Sequence, residues 1–225
     1  MLETALYIIP TPIGNLEDIT LRAIRILNEV DIIACEDTRT SGNLFKALDI
    51  SPKRLLAYHN FNEKESARGL VKLILEGNSL ALVSDAGYPG ISDPGFSIVN
   101  ECINNKIKII ALPGPSSILP AFVASGFDVS AFTFLGFPPQ KKGRKTFIEK
   151  ALNENKSTVI LESSHRIVKL LDQINEISPN RKLSIAKEIS KIHERYIRGT
   201  AYECKEVLNE QNSTKGEFVV VIEKG

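Results

Sequence analysis

Short apolar runs alternate with amphipathic segments through the first half of the chain, and this order constrains the fold more than any other feature. Leu6-Tyr7-Ile8-Ile9 is a compact β-type run ended by Pro10. A helix follows, with Leu21, Ile24, Leu27 and Val30 near helical spacing and Asp18 or Thr20 as its cap. Asp31-Ile32-Ile33-Ala34 reads as a second buried strand, and residues 54–58 as a weaker third. Asn62 with Glu65 three residues on has the form of a capping arrangement. Behind it Ala67, Leu70, Val71 and Ile74 share one helix face, and Gly77 suits the C′ position. Residues 80–83 and 107–112 predict further strands, and Asp93-Pro94 predicts the N-cap and first position of the helix between them. Apolar strands separated by helices predict a parallel sheet covered on both faces.

Around residues 117–126 the chain turns into a helix carrying Pro120, then reaches Gly126, which places a domain boundary between 1–118 and 119–225. Strands are expected at 132–135, 158–161, 183–186, 196–198 and 218–222. One intervening helix carries Ile167, Leu170, Leu171 and Ile174 on a single stripe, and Thr200 with Glu203 forms a capping box for the last. Neighbouring strands near Arg198 leave no room for a crossover helix, so the second sheet is expected to be mixed.

Hydrophobic residues make up 43% and charged residues 24%, which excludes global disorder. Cys35, Cys102 and Cys204 are odd in number and far apart, which excludes a disulfide scaffold and fits a reducing cytoplasm. No apolar run reaches the length of a membrane span, and the N-terminus does not read as a signal peptide. The net charge of +1 gives no global pull toward a polyanion, so any nucleic acid must be met by a local basic patch.

In open α/β sheets ligands bind outside the carboxyl ends of the strands. Three loops after first-half strands are rich in Pro and Gly: residues 10–15, 84–90 and 113–117. Proline lacks an N–H, so such loops are poor in donors and rich in free carbonyls, the reverse of a phosphate cradle. No Walker A sequence and no G-x-G-x-x-G is present. A nucleoside bearing positive charge, such as S-adenosylmethionine, suits these loops better than a nucleoside triphosphate.

Several segments are similar to a known family. YIIPTPIGNLEDIT (7–20), ACEDTRTS (34–41), ALVSDAGYPGISDPG (81–95), LPGPSS (112–117) and FLGFPPQKKGRK (134–145) come in family order. LESSHR (161–166), AKEISKIHE (186–194), IRGT (197–200) and KGEFVVVI (215–222) continue it. The chain resembles the ribosomal RNA small subunit methyltransferase I family, within the tetrapyrrole methylase superfamily. That resemblance implies two α/β domains, a parallel-sheet N-terminal domain and a mixed-sheet C-terminal domain, with the cofactor in the cleft between them. It implies S-adenosylmethionine as cofactor, a cytidine 2′-hydroxyl of 16S rRNA in the small ribosomal subunit as acceptor, a homodimer, no membrane and no metal. Many members carry a further small C-terminal domain, expected to be absent here. Lys187 stands where the family often has Arg, and Ser190 where it often has Thr.

By motif position the cofactor-binding candidates are Pro12, Gly14, Asp85, Ala86, Gly87, Tyr88, Ser116, Ser117, Gly199 and Thr200. Asp after a strand also reads as a turn or cap residue. The catalytic candidates are Glu36, Asp37 and Arg39 after the second strand, with Lys187 and Glu188 beyond a later one. One carboxylate of the first group could orient or deprotonate the ribose hydroxyl, with Arg39 on the adjacent phosphate; a structural ion pair is the plainer reading. RNA-binding candidates are the dense basic run Lys141, Lys142, Arg144 and Lys145, followed by His165 and Arg166. Ser163 or Ser164 is expected to cap the helix beginning there. Two other readings stay open: the same fold methylating a tetrapyrrole or a protein side chain, and a non-catalytic RNA-binding or ribosome-assembly factor with a vestigial pocket.

Overall fold

A computed structural model describes residues 2–59, 63–210 and 213–225. The chain divides into two compact units, Met1–Ser116 and Ser117–Gly225.

In the first unit, strands β1 (Leu6–Ile8), β2 (Ile32–Cys35), β3 (Leu55–Ala57), β4 (Leu80–Leu82) and β5 (Ile109–Ala111) form one sheet in the order β3-β2-β4-β1-β5. Every pairing is parallel. Helices α1 (Leu21–Glu29) and α2 (Thr38–Ala47) supply Ala23, Ile26, Leu27 and Phe45 to the core under Tyr7, Ile33, Cys35 and Ala81. Helices α3 (Glu63–Leu75) and α4 (Phe96–Asn104) cover the opposite face, where Leu70, Val71, Ile74 and Ile98 meet Leu6, Ile32, Ala34 and Leu80. Burial on both faces explains why these strands lack alternation.

Thr20 caps α1, its hydroxyl accepting from Ala23 N at 3.1 Å. Leu21 departs from the expected stripe: it is 86% exposed, and the buried face is carried by Ala23, Ile26 and Leu27. The charged stretch after β2 is not a simple loop, because α2 begins at Thr38 with Asp37 as its N-cap. The expected cap at Asn62 lies outside the described residues. Asp93-Pro94 does not open α4; that helix starts at Phe96 with Gly95 as an N-cap that offers no side chain.

Glu63 fills that gap from α3. Its Oε1 accepts from Gly95 N at 3.1 Å, Ser97 N at 3.0 Å and Tyr58 Oη at 3.2 Å. Burial alone would raise the Glu63 carboxyl, but the hydrogen bonds from Ser97, Gly95 and Tyr58 outweigh it and hold the pKa below its ordinary value.

The second unit holds β6 (Phe132–Gly136), β7 (Ser157–Ser163), β8 (Lys182–Lys187), β9 (Arg195–Thr200) and β10 (Glu217–Ile222) in the order β6-β7-β10-β8-β9. Only β6 and β7 pair in parallel; the other three pairings are antiparallel, so the sheet is mixed. Helix α5 (Ile118–Val123) lies against β8 and β10. Helices α6 (Arg144–Leu152), α7 (Ile167–Ile177) and α8 (Ala201–Glu210) bury Ile148, Leu170, Leu171, Ile174 and Leu208 against Ile160, Ile185 and Val220. Thr200 N donates to Glu203 Oε2 at 2.6 Å and Glu203 N to Thr200 Oγ1 at 3.3 Å, a reciprocal box at the start of α8. No helix among the described residues is long and apolar enough to cross a membrane.

Glu63→Ala leaves Gly95 N and Ser97 N without their acceptor. Urea denaturation at pH 7 is expected to show a loss of about 1–3 kcal/mol. Because the folded pKa is depressed, this contribution is present above the unfolded pKa and fades as pH falls through the folded one. A loss that stays constant down to pH 3 would contradict the assignment.

Candidate functional site

Five parallel strands bring their carboxyl ends to one edge of the first sheet. The loops that leave that edge are tied to one another by backbone. Thr11 and Gly87 exchange both hydrogen bonds, Thr11 N to Gly87 O at 3.0 Å and Gly87 N to Thr11 O at 2.9 Å. The Thr11 hydroxyl donates to Ser84 O at 2.9 Å, and Ser84 Oγ donates to Gly87 O at 3.0 Å. Gly87 sits at φ +76°, a conformation that glycine adopts without strain. Tyr88 Oη donates to Leu112 O at 3.1 Å, which anchors the β4 loop on the residue after β5. Gly114 passes so close to Pro10 that a Cβ there would stand 2.5 Å from Pro10 Cγ. Loops β1, β4 and β5 therefore form one braced surface, with Pro12 and Gly87 buried, Tyr88 half-buried, and Gly14, Asp85 and Ala86 exposed on it.

Carboxylates gather beside these loops. Asp85 Oδ1 accepts from Asp37 N at 3.3 Å and joins the β4 and β2 loops. Asp37 itself accepts from Arg39 N at 2.7 Å and Thr40 N at 3.4 Å, and these bonds lower its pKa. That makes Asp37 the helix cap, a structural acceptor. Arg39 is exposed on the first turn of α2.

Glu36 has the opposite character. It is half-buried, and burial first, then the charges of Asp85 and Asp37, raise its pKa; His59 opposes the shift. Asp93 is raised further, to about 6, by burial and then by Glu36 and Asp85. Sequence reasoning missed Asp93, because Asp-Pro after a turn is a strong helix-start signal. Here the loop runs two residues further, so its carboxyl remains among like charges. Among the described residues no group of three His, Cys, Asp or Glu side chains converges in a way that could hold a metal ion.

The other predicted residues are placed within their own units. Ser116 closes the first unit, half-buried. Ser117, Gly199 and Thr200 belong to the second. A Cβ on Gly199 would stand 2.7 Å from Glu203 Oε2, so this glycine is needed for the capping box that Thr200 completes.

Lys187 requires correction as a catalytic candidate. It pairs across the sheet with Phe218, which pairs with Glu162, so it stands on the helix-covered face. It is 8% exposed and donates to Ser213 Oγ at 2.6 Å, which withdraws it from any substrate. Glu188 is likewise committed: its Oε1 accepts from Glu217 N at 2.8 Å and Lys191 Nζ at 3.1 Å.

Arg144 is corrected too. Its side chain is 4% exposed and bonds Glu162 Oε2 at 2.7 Å and Gln173 Oε1 at 2.9 Å, so it is an internal cation. Lys141, Lys142, Lys145 and His165 are exposed, and Arg166 is half-buried. Neither Ser163 nor Ser164 caps α7; Arg166 occupies that position with no side-chain cap, and Ser163 O accepts from Arg166 N instead.

Comparison with known proteins agrees with this architecture. The family model for Tetrapyrrole (Corrin/Porphyrin) Methylases matches residues 5–205. Cobalt precorrin-4 methyltransferase, a cobalamin biosynthetic enzyme, superposes with a TM-score of 0.67 at 16% identity, covering 98% of this chain and 95% of that one. Uroporphyrin-III C-methyl transferase from Thermus thermophilus, complexed with S-adenyl homocysteine, gives 0.61 at 16% identity over 97% of each chain. The chain thus has the two-sheet fold of the tetrapyrrole methylases.

Nearer relatives narrow this. Ribosomal RNA small subunit methyltransferase I of Hydrogenobaculum sp. (strain Y04AAS1) is 46% identical over 219 residues, 97% of this chain and 95% of that protein. The proteins of the same name from Thermotoga maritima and Haemophilus influenzae are each 41% identical, covering 96% and 97% of this chain and 97% and 78% of theirs. The chain belongs to the ribosomal RNA small subunit methyltransferase I family.

Asp93→Asn tests the clustered carboxylates. A folded pKa raised to about 6 means that the charged form is disfavoured in the fold. Stability is then lost as pH rises from the ordinary carboxylate value near 4 toward 6. The variant is expected to gain on the order of 1 kcal/mol at pH 7.5 and nothing at pH 4, read by thermal denaturation at both. An equal effect at the two pH values would remove the electrostatic account.

Proposed function

We propose that this protein is an S-adenosylmethionine-dependent methyltransferase that modifies the 2′-hydroxyl of a cytidine in small-subunit (16S) ribosomal RNA. The observation that carries this reading is the 46% identity over 97% of the chain with a protein named for small-subunit rRNA methylation. The three nearer relatives each carry the name of a small-subunit rRNA methyltransferase, which favours this acceptor over a tetrapyrrole or a protein side chain and favours catalysis over binding alone.

The residues at the first-sheet edge fit a cationic nucleoside donor. Pro10, Pro12 and Pro89 contribute no N–H groups to these loops, and Glu36, Asp85 and Asp93 add negative charge beside them. Gly14, Asp85, Ala86, Gly87 and Tyr88 form the donor-binding surface of the first unit, and Ser116 stands at the end of its β5 loop. The bound donor supplies an electrophilic methyl group on a sulfonium. The protein must align the acceptor, exclude water and receive a proton. Alignment of the kind that braced loops give supplies up to roughly 7–11 kcal/mol.

Glu36 is the base in this reading. Its raised pKa brings a carboxylate closer to the range in which proton transfer is efficient, whereas Asp37 is held in its ionised form by α2. Arg39, exposed one turn away, binds the neighbouring phosphate. Lys141, Lys142, Lys145 and His165 form the wider RNA footprint on the second unit. The protein acts in the cytoplasm as a homodimer; Phe96 and Ile103, apolar and exposed on one face of α4, support self-association.

The direct test incubates small ribosomal subunits lacking the modification with the protein and methyl-labelled donor, followed by nucleoside mass spectrometry. Labelled 2′-O-methylcytidine is expected; label on a base, or on no nucleoside, would refute the assignment. Glu36→Gln is expected to lower kcat about 100-fold with donor affinity within a few-fold of the parent. The parent's kcat is expected to fall on the acid side, because the base must be ionised, at an apparent pKa above that of an ordinary glutamate. Retention of that acid limb in Glu36→Gln would exclude Glu36 as base.

A further inference from the structure

Glu162 is the last buried side chain before β7 ends, and its side chain is fully inaccessible. A carboxylate there demands compensation. Two guanidiniums answer it. Arg144 Nη2 lies 2.7 Å from Oε2, and Arg166 Nε lies 2.9 Å from Oε1, which also accepts from Ser163 N at 2.9 Å. One negative charge and two positive ones leave a positive charge over, and no other acid among the described residues pairs with either arginine.

The surplus falls on Arg166. Arg144 is spent internally: Nε donates to Gln173 Oε1, and Nη1 to Pro139 O at 3.4 Å. Arg166 Nε is fully used, because it also donates to Ser163 Oγ at 3.1 Å. Its Nη1 reaches Pro138 O only at 3.4 Å, and among the described residues Nη2 makes no hydrogen bond. The side chain is 24% exposed, so it is not sealed in the interior as that of Arg144 is. Lys141, Lys142, Lys145 and His165 are exposed on the same two connections, and α6 and α7 both start there without side-chain caps. A planar guanidinium held by its Nε, with Nη1 only weakly engaged and Nη2 unbonded among the described residues, suits a phosphate.

We infer that Arg166 is an RNA-phosphate-binding residue and that Glu162 and Arg144 are positioning residues that hold its guanidinium in place. The inference rests on the rRNA-methyltransferase reading and names one contact of its substrate. Glu162 fixes the fork through Nε, and Arg144 cancels the charge that Glu162 would otherwise set against the phosphate. A lysine at 166 could satisfy Glu162 or the phosphate, but not both in one plane.

The test measures binding of a fluorescent single-stranded RNA by anisotropy across salt concentrations, with donor affinity by calorimetry as a control on folding and on the first unit. Arg166→Ala is expected to weaken RNA binding about 10–100-fold and to reduce the salt slope by about 0.7, the loss of one phosphate contact. Arg166→Lys is expected to keep the slope yet lose about 3–10-fold in affinity. Lys169→Ala, which removes an exposed cation one residue row away on α7, is expected to change affinity less than Arg166→Lys does. Donor affinity should match the parent in all three.

A folded, donor-binding Arg166→Ala protein with parental RNA affinity and slope would overturn the inference while leaving the methyltransferase reading intact. Equal losses in Arg166→Lys and Lys169→Ala would also overturn it, since charge alone would then suffice. Thermal shift in inorganic phosphate against chloride at equal ionic strength separates the sources. Stabilisation by phosphate with no effect of Arg166→Ala on RNA would assign the fork to a free anion and reject an RNA phosphate.

Discussion

The site depends on one constraint: five strands of the first unit run the same way, so their outgoing loops leave from a single edge. Parallel pairing sets which residues can meet. The register Tyr7 with Ala81 and Ile110 puts Thr11, Ser84 and Gly114 a few residues beyond a common line. The reciprocal bonds between Thr11 and Gly87 then extend the sheet past its formal end. Rigidity there comes from backbone pairing, which substitution of exposed side chains barely alters. The exposed side chains of these loops carry less of the fold, although Asp85 still ties the β4 loop to the β2 loop through Asp37 N.

The two units handle buried charge differently. In the first, Glu63 is neutralised by amide dipoles at the start of α4 and by a phenol, and Glu36, Asp85 and Asp93 are left mutually repelling. Such unrelieved repulsion lowers stability, and the proposed cationic donor would relieve it. In the second unit the buried carboxylate of Glu162 is over-compensated by two arginines. One edge thus carries excess negative charge and the other connection excess positive charge, the division that the proposed cationic donor and polyanionic acceptor would require.

Much of this was legible in the residues. Parallel order in the first sheet followed from apolar strands alternating with helices, and the mixed second sheet followed from the seven residues between β8 and β9. Ala67, Leu70, Val71 and Ile74 all proved buried. The errors arose where a local signal had two physical uses. Asp93-Pro94 has the form of a helix start, but Glu63 caps α4 from a distant helix, and no local pattern reveals a donated cap. Asp37 read as an active-site acid, although its spacing before Arg39 and Thr40 equally suits an N-cap. Lys187 and Arg144 carry charge, and charge in a sequence suggests surface. Only the pairing of Lys187 with Phe218, and of Arg144 with Glu162, assigns them to the interior.

The most direct measurement is the map of backbone amide chemical-shift changes when S-adenosylhomocysteine is titrated into the labelled protein. The account predicts saturable changes centred on Gly14, Asp85, Ala86, Gly87 and Tyr88, with Glu36 and Asp37 among the residues that shift. Saturable binding that leaves these amides unmoved and perturbs the opposite, amino-terminal edge of the first sheet would contradict it.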